Sequence, residues 1–148
     1  MAIAKPLGKR NWKVMDVMTK YPLTVATDES IGQADELMNT NNIRQIPVLQ
    51  GTELVGIVTD RDIRSFLSGS LLEGPEAREK ALNTTVSEIM TTEPITVSPE
   101  DDLEEAVELL IEEKFGGIPV VDKSAGLVGI VTYVDVLRCF LNRLQENY

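Results

Sequence analysis

Two threonine–aspartate pairs are the residues of this chain whose types and spacing best suit ligand chemistry. Thr59 stands three positions before Asp62, and Thr132 three positions before Asp135, each time at the end of the pattern Gly-Ile-Val-Thr-x-x-Asp. The apolar, β-branched run predicts a strand that ends at the Thr, with the Asp in the first turn of the next helix. Free backbone N–H groups, the helix dipole and a hydroxyl then suit a phosphate, and the carboxylate suits a pair of sugar hydroxyls.

The two pairs belong to a tandem repeat. The hexapeptide Leu-Val-Gly-Ile-Val-Thr at 54–59 returns unchanged at 127–132. Earlier motifs recur 72 residues later, from Met18-Thr19 to Met90-Thr91, and the displacement becomes 73 from the hexapeptide onward. One residue is therefore inserted within 122–126, which we predict to be a surface turn, because such turns tolerate insertions at low cost.

The same residues also suit a purely structural role. A Thr before a helix caps it, and an Asp in the first turn favours the positive end of the helix dipole. The pair is nevertheless present in both copies, although Asp60-Arg61 is replaced by Tyr133-Val134 at the corresponding positions. This retention favours ligand binding over capping alone.

Each copy predicts five elements in the order β-α-β-β-α. The strands are expected at 23–25, 46–49 and 53–59 in the first copy and at 95–97, 118–121 and 127–132 in the second. The first helices carry apolar stripes, formed by Ile31, Ala34, Leu37 and Met38 and by Leu103, Ala106, Val107, Leu110 and Ile111. In the second copy we expect Ser98 to cap that helix, Pro99 to lie in its first turn and Gly116-Gly117 to end it. The last helix begins near Asp60 in one copy and near Tyr133 in the other.

Charge divides the chain unevenly. The net charge is −10, but residues 1–13 hold Lys5, Lys9, Arg10 and Lys13 and no acid, which leaves −14 for the rest. A body this acidic repels phosphate backbones, so we expect no nucleic-acid partner. We expect the basic arm to be a solvated tail, and the alternative is that it contacts an acidic surface. The predicted domains are this arm at 1–13, a first repeat at 14–67, a linker at 68–85 and a second repeat at 86–148.

The residue types exclude most enzyme classes. The chain has no histidine, which removes the usual zinc sites, Ser-His triads and Cys-His dyads together. It has no Gly-x-x-x-x-Gly-Lys phosphate loop and no candidate base beside a nucleophile. We therefore expect no enzyme, no catalytic residue and no metal site. No apolar run approaches the roughly 20 residues of a membrane span and no signal peptide is present, so the expected location is the cytoplasm, without a membrane partner.

The ordered motifs resemble those of the CBS domain, named after cystathionine β-synthase. They are Val-x-x-x-Met-Thr, Pro-x-Thr-Val, Ile-Pro-Val and Gly-Ile-Val-Thr-x-x-Asp, and all four occur twice in this order. The resemblance covers roughly 14–64 and 86–138, and two such domains in tandem are similar to a Bateman module. It implies an α+β fold of two β-α-β-β-α repeats, packed sheet to sheet with pseudo-twofold symmetry, and two clefts related by that symmetry.

The resemblance also implies a ligand, namely an adenosine-containing molecule such as AMP, ADP, ATP or S-adenosylmethionine, with no obligatory cofactor. The Thr-x-x-Asp of one repeat is expected to contact ribose and phosphate, and the other repeat to supply the adenine slot. In the first cleft the expected residues are Thr59, Arg61, Asp62, Thr91, Thr96, Phe115, Gly116 and Ile118. In the second they are Thr132, Asp135, Thr19, Thr24, Ile43, Arg44 and Ile46.

Three of these side chains have a second interpretation. Arg61 and Arg44 can pair with phosphate or stay solvated, and Phe115 can stack on a purine or complete the apolar stripe of its helix. The copies differ at Arg44-Gln45 versus Gly116-Gly117 and at the positions that follow each Thr. We therefore expect two unequal sites, with the Thr59 cleft the better anion site.

Two functions remain open at this stage. The leading hypothesis is a regulatory sensor of adenosyl ligands that acts in trans on an effector protein, because 148 residues leave no room for an effector domain. The alternative is a ligand-independent dimerisation or protein-interaction module, since members of the family commonly form homodimers. The last helix supplies an apolar stripe for that contact, formed by Val134, Leu137, Phe140, Leu141 and Leu144.

Overall fold

The computed structural model describes residues 11–146 and has the α+β architecture that the sequence predicts. In chain order the elements are α1 (Val14–Val17), β1 (Thr19–Lys20), β2 (Val25–Ala26), α2 (Ile31–Asn41), β3 (Gln45–Gln50), β4 (Glu53–Thr59), α3 (Asp60–Ser68), α4 (Pro75–Leu82), a 3-10 turn (Val86–Glu88), β5 (Thr91–Thr92), α5 (Leu103–Glu113), β6 (Gly117–Asp122), β7 (Gly126–Thr132) and α6 (Tyr133–Glu146). The last helices begin at Asp60 and Tyr133, as the sequence predicts.

The elements form two compact units that divide the chain differently from its sequence repeats. The central unit holds residues 22–95, and the terminal unit joins 11–21 to 96–146. In the central unit β5, which opens the second copy, pairs with β4 of the first copy. In the terminal unit β1, which opens the first copy, pairs with β7 of the second. Each unit therefore takes one of its two edge strands from the start of the other sequence repeat.

The hairpins of the two sheets have equivalent strand registers. The central sheet has the order β2-β3-β4-β5, and the terminal sheet has the order β1-β7-β6. Gln45 pairs with Thr59 in the central hairpin, and Gly117 pairs with Thr132 in the terminal one. Both hairpins also shift register at the same point, after Val48 and after Val120. The two Thr-x-x-Asp segments consequently leave equivalent strand ends.

Each unit has its own apolar core beneath these strands. Most of the helix stripes predicted from sequence are buried, with Ile31, Ala34 and Met38 of α2 in the central core and Leu103, Ala106 and Leu110 of α5 in the terminal core. The prediction is wrong for Ile111, which is 69% exposed. Ser30 caps α2, since its hydroxyl accepts from the Gln33 N–H while the Gln33 side chain accepts from the Ser30 N–H. The predicted linker contains α4, whose Ala81 is buried in the central core.

The segment before α5 differs from the sequence prediction. Ser98 does not cap α5, which begins at Leu103 with Asp102 as its N-cap, and only Val97 of the expected strand at 95–97 bridges to Val120. The backbone N–H groups of Val14 and Met15 donate to the carbonyls of Asp101 and Pro99, at 2.9 and 3.0 Å. These carbonyls are therefore engaged by α1 and cannot begin a helical ladder. The far end differs too, because α5 stops at Glu113 with a left-handed Lys114 and not at Gly116-Gly117.

The end of the basic arm is anchored and is not a solvated tail. The Leu103 N–H donates to the Trp12 carbonyl at 2.8 Å, and the Lys13 ammonium lies 2.6 Å from a carboxylate oxygen of Asp102. This hydrogen bond and charge pair raise the pKa of Lys13. Residues 1–10 of the predicted arm lie outside the described residues.

The glycine of each repeated hexapeptide lies against the Met-Thr motif. A Cβ on Gly129 would lie 2.6 Å from Met18 Sδ and 2.9 Å from the Thr19 carbonyl oxygen, and one on Gly56 would lie 2.5 Å from Met90 Sδ and 2.9 Å from the Thr91 oxygen. Only a residue without a side chain allows the outer strand to approach this closely. The two motifs therefore recur together because they form one contact.

The inserted residue falls in the β6–β7 turn, as predicted. There Asp122 Oδ1 accepts hydrogen bonds from the Ser124 N–H, the Ser124 hydroxyl and the Ala125 N–H, at 2.8, 2.7 and 3.2 Å. These donors favour the ionised carboxylate and lower the pKa of Asp122. The longer turn is thus closed by its own side chains and leaves the hairpin register intact.

Candidate functional site

The Thr59–Asp62 pair lies at the N-terminus of α3, where it forms a capping box. The Thr59 N–H donates to Asp62 Oδ2 at 2.9 Å, and the Asp62 N–H donates to Thr59 Oγ1 at 3.0 Å. Both side chains are half-buried. Within the described chain, Asp62 Oδ1 has no protein donor and the Thr59 hydroxyl has no acceptor for its proton. The capping role proposed from sequence is real, but it leaves one carboxylate oxygen and one hydroxyl available.

The Thr132–Asp135 pair repeats this box at the N-terminus of α6 with more internal bonds. Asp135 Oδ2 accepts from the Thr132 N–H at 2.9 Å and from the Thr132 hydroxyl at 3.0 Å, and the Asp135 N–H donates to that hydroxyl oxygen at 3.2 Å. The Thr19 hydroxyl of β1 donates to Asp135 Oδ1 at 2.9 Å. Asp135 is only 8% exposed. Both oxygens of this carboxylate are therefore occupied by protein donors.

The positions at which the copies diverge are adjacent in each unit. In the central unit the Asp60 N–H donates to the Arg44 carbonyl, and the Asp60 carboxylate lies 4.0 Å from the Arg44 guanidinium and 3.5 Å from that of Arg64. In the terminal unit the corresponding bond runs from the Tyr133 N–H to the Gly116 carbonyl, at 3.3 Å. The central strand end consequently carries charged groups that the terminal one lacks.

The two arginines considered as site residues in the central unit differ in their ion pairs. Arg61 is exposed and makes no ion pair within residues 11–146, whereas Arg44 shares Asp60 with Arg64. An exposed guanidinium one residue before Asp62 is a ready partner for an anion at the start of α3. The Arg44 side chain is 68% exposed, and its guanidinium lies 4.0 Å from Asp60, so it is only loosely held.

The remaining predicted residues fall into the two units as follows. The central unit holds Thr24, Ile43, Ile46 and Thr91, and the terminal unit holds Thr96, Phe115, Gly116 and Ile118. Ile46 and Ile118 are fully buried core residues, and Phe115 and Ile43 pack against the two cores. Packing is therefore an established role of Phe115, while the adenine slot assigned from the resemblance stays a prediction.

A cavity of about 220 Å³ in the terminal unit touches the Asp135 region and was not anticipated from sequence. Its lining includes Trp12, Asp135, Arg138, Cys139 and Arg143. Its α6 residues, from Asp135 to Arg143, recur at helical spacing and therefore share one face of the helix. That spacing is visible in the sequence and could have predicted a common surface. Trp12 carried no such signal, because it lies outside the repeat.

In residues 11–146 no group of three or more cysteine or acidic side chains is arranged to hold a metal ion. No helix there is long and apolar enough to cross a membrane.

Comparison with known proteins gives consistent matches. A family model of the CBS domain matches residues 14–69 and 86–142. The chain is 33% identical over 139 residues to the uncharacterized protein MJ1225 of Methanocaldococcus jannaschii, a match that covers 88% of this chain and 48% of that protein. The chain therefore spans about half the length of that relative.

Two solved structures resemble this one over nearly their whole length. The structure of CBSX2 in complex with AMP has a TM-score of 0.75 at 33% identity, covering 88% of this chain and 97% of that one. The structure of the CBS domain pair of protein MJ0100 in complex with 5′-methylthioadenosine and S-adenosyl-L-methionine has a TM-score of 0.77 at 29% identity, covering 90% and 99%.

Proposed function

This chain belongs to the CBS-domain family, and we propose that it is a regulatory module that binds an adenosine-containing ligand at its Thr-x-x-Asp pairs. Supporting this, related structures hold AMP, or 5′-methylthioadenosine and S-adenosyl-L-methionine. The observation that carries the proposal lies at the start of α3, where Asp62 Oδ1 has no donor and the Thr59 hydroxyl proton no acceptor among residues 11–146. The proposal assigns no reaction to the chain. Its output acts on an effector protein in the cytoplasm.

The polar groups at the start of α3 match the polar parts of a nucleoside monophosphate. Asp62 is half-buried, and its Oδ1 can accept charge-assisted hydrogen bonds from ribose hydroxyls. The Thr59 hydroxyl can donate to a phosphate oxygen, and the α3 dipole favours the negative charge. Arg61 supplies a guanidinium for the same phosphate. We therefore assign ribose recognition to Asp62 and phosphate recognition to Thr59 and Arg61.

Calorimetric titration of the purified protein tests this function. We expect at least one of AMP, ATP and S-adenosylmethionine to bind with a micromolar dissociation constant, which corresponds to a binding free energy of about −8 kcal/mol. Guanosine monophosphate serves as the matched control, because it keeps the ribose and phosphate and changes only the base. Absence of heat with all adenosyl ligands at millimolar concentration would remove the proposed function.

A second candidate function rests on the exposed apolar face of α6. Leu137, Phe140 and Leu141 are 58%, 50% and 52% exposed, and Val134 and Leu144 lie on the same helix. Side chains of this size, clustered on one helix, mark a protein-contact surface more often than scattered exposed residues do. The alternative is thus a homodimer or protein-interaction module that assembles through α6 without a ligand.

The oligomeric state of the ligand-free protein tests this alternative. If α6 mediates dimerisation, sedimentation at micromolar concentration will give a dimer, and Leu137→Asp will convert it to a monomer by burying a charge in the contact. Ile111→Asp is the matched control, since Ile111 is an apolar residue of α5 that is at least as exposed as Leu137, at 69%. A monomeric wild-type protein contradicts the alternative and leaves the ligand proposal unaffected.

A further inference from the structure

The two Thr-x-x-Asp pairs differ in how fully the protein itself occupies them. We propose that the Thr19 hydroxyl acts as a latch that closes the Thr132–Asp135 pair, so that ligand fills the Thr59–Asp62 pair first. This inference rests on the proposed function and adds an order of filling to it. Thr19 is thereby a selectivity-determining residue, since it adds to the difference in affinity that Arg61 already produces between the two sites.

The hydrogen-bond inventory of the two carboxylates carries the inference. Asp135 Oδ1 accepts from Thr19, and Asp135 Oδ2 accepts twice from Thr132. Asp62 Oδ2 accepts once, from the Thr59 N–H. A ribose hydroxyl that approaches Asp135 finds Oδ2 filled by two protein donors and must share Oδ1 with the Thr19 hydroxyl, whereas Asp62 Oδ1 has no protein donor within residues 11–146.

The two threonine hydroxyls of the pairs differ in the same direction. The Thr132 hydroxyl both donates to Asp135 and accepts from its N–H. The Thr59 hydroxyl accepts from the Asp62 N–H and retains its proton for another acceptor. A phosphate oxygen consequently finds a donor at Thr59 and an internally committed hydroxyl at Thr132.

The position of Thr19 explains why the latch can open. Its backbone is fixed, because it pairs with Ile130 across the sheet, and Gly129 allows the close approach of β1. The side chain is exposed, so rotation about its Cα–Cβ bond moves the hydroxyl away without disturbing the strand. Thr91 holds the same register opposite Ile57 in the central unit, yet in the described residues it makes no bond to Asp62. The latch is therefore a matter of side-chain orientation in one copy.

The effect of the Thr19 hydroxyl is measured as a change in the ligand affinity of the terminal site alone. Asp62→Asn removes the competing carboxylate, and AMP, with S-adenosylmethionine as a second probe, is then titrated into Asp62→Asn and into Asp62→Asn combined with Thr19→Val. Valine keeps the shape of threonine and removes the hydroxyl. We expect the double variant to bind about tenfold more tightly than Asp62→Asn, which corresponds to ~1.4 kcal/mol. Asp62→Asn with Thr92→Val, an exposed threonine of β5, is the control and keeps the affinity of Asp62→Asn.

The outcomes separate this inference from the proposed function. If the probes bind wild-type protein but Thr19→Val leaves the affinity of the terminal site unchanged or lowers it, the latch is wrong and the function stands. If no probe binds wild-type protein or any variant, both fall. A melting temperature provides a ligand-free readout, because Thr19→Val loses a bond to a buried carboxylate and is expected to melt below Thr92→Val. Equal melting of the two variants overturns the latch.

Discussion

Asp62→Ala is expected to lower the affinity of the central unit for its adenosyl ligand by about 100-fold or more. Removing Asp62 Oδ1 deletes the acceptor for the ribose hydroxyls, and hydrogen bonds to a charged group are worth about 1.5–3 kcal/mol each. A 100-fold loss corresponds to ~2.7 kcal/mol. The measurement is a calorimetric titration with the ligand that binds wild-type protein most tightly.

Two further variants separate ligand recognition from folding. Asp62→Asn keeps an acceptor for the Thr59 N–H, so it should preserve the cap of α3 and still lose most of the affinity. Asp60→Ala removes a neighbouring acid of the same turn, which pairs with Arg44 and Arg64, and should retain the affinity. Equal losses for Asp60→Ala and Asp62→Ala would show that general charge at this helix terminus, and not the carboxylate of Asp62, governs binding.

Gly129→Ala is expected to destabilise the protein by about 1–3 kcal/mol, the usual cost of overpacking. The new Cβ would lie 2.9 Å from the Thr19 carbonyl oxygen, which the β1–β7 pairing holds in place, and 2.6 Å from Met18 Sδ. The sulfur can move, but the backbone oxygen can move only if β1 shifts. A fall in melting temperature of about 5 °C measures this cost.

Gly69→Ala is the matched control for this substitution. Gly69 has a right-handed helical conformation, and its added Cβ would meet only the Phe66 carbonyl oxygen, at 3.6 Å. Its expected effect on stability is close to zero or slightly favourable, because alanine restricts the unfolded chain. If Gly129→Ala and Gly69→Ala have the same melting temperature, β1 tolerates the added Cβ and the predicted steric conflict is wrong.

The repeat made much of the fold predictable from sequence. The two identical hexapeptides predict the same strand and the same capping threonine after it. The strands β4 and β7 and the first residues of α3 and α6 therefore lie where the sequence predicts. The apolar stripes of α2 and α5 are also local signals, since helical spacing predicts their buried residues, with Ile111 as an exposed exception. These features depend on neighbours within a few residues.

Features that depend on distant parts of the chain were not predictable. The start of α5 is displaced to Leu103 because α1, almost ninety positions earlier, takes the carbonyls that a helix at Ser98 would need. The bond between Thr19 and Asp135 joins residues 116 positions apart, and no periodicity signals it. The sequence therefore predicted both residues as site candidates but gave no indication that the Thr19 hydroxyl donates to the Asp135 carboxylate.

The same limit applies to the difference between the two sites. Sequence comparison predicted that they are unequal, with the Thr59 site favoured because Arg61 supplies a guanidinium where the other copy has Val134. The hydrogen bonds of Asp62 and Asp135 add a second cause, which lies in side-chain orientation and not in residue type. Both causes favour the Thr59–Asp62 pair.

An amide-resolved NMR titration with AMP, repeated with S-adenosylmethionine, tests the central claim most directly, because it reports both binding and its location. The account predicts saturable shifts at the amides of Thr59 and Asp62, where α3 begins, and none along α4 (Pro75–Leu82), which serves as an internal control. Shifts at Thr132 and Asp135 should follow at higher ligand concentration. Saturating ligand that leaves both Thr-x-x-Asp segments unshifted would contradict it.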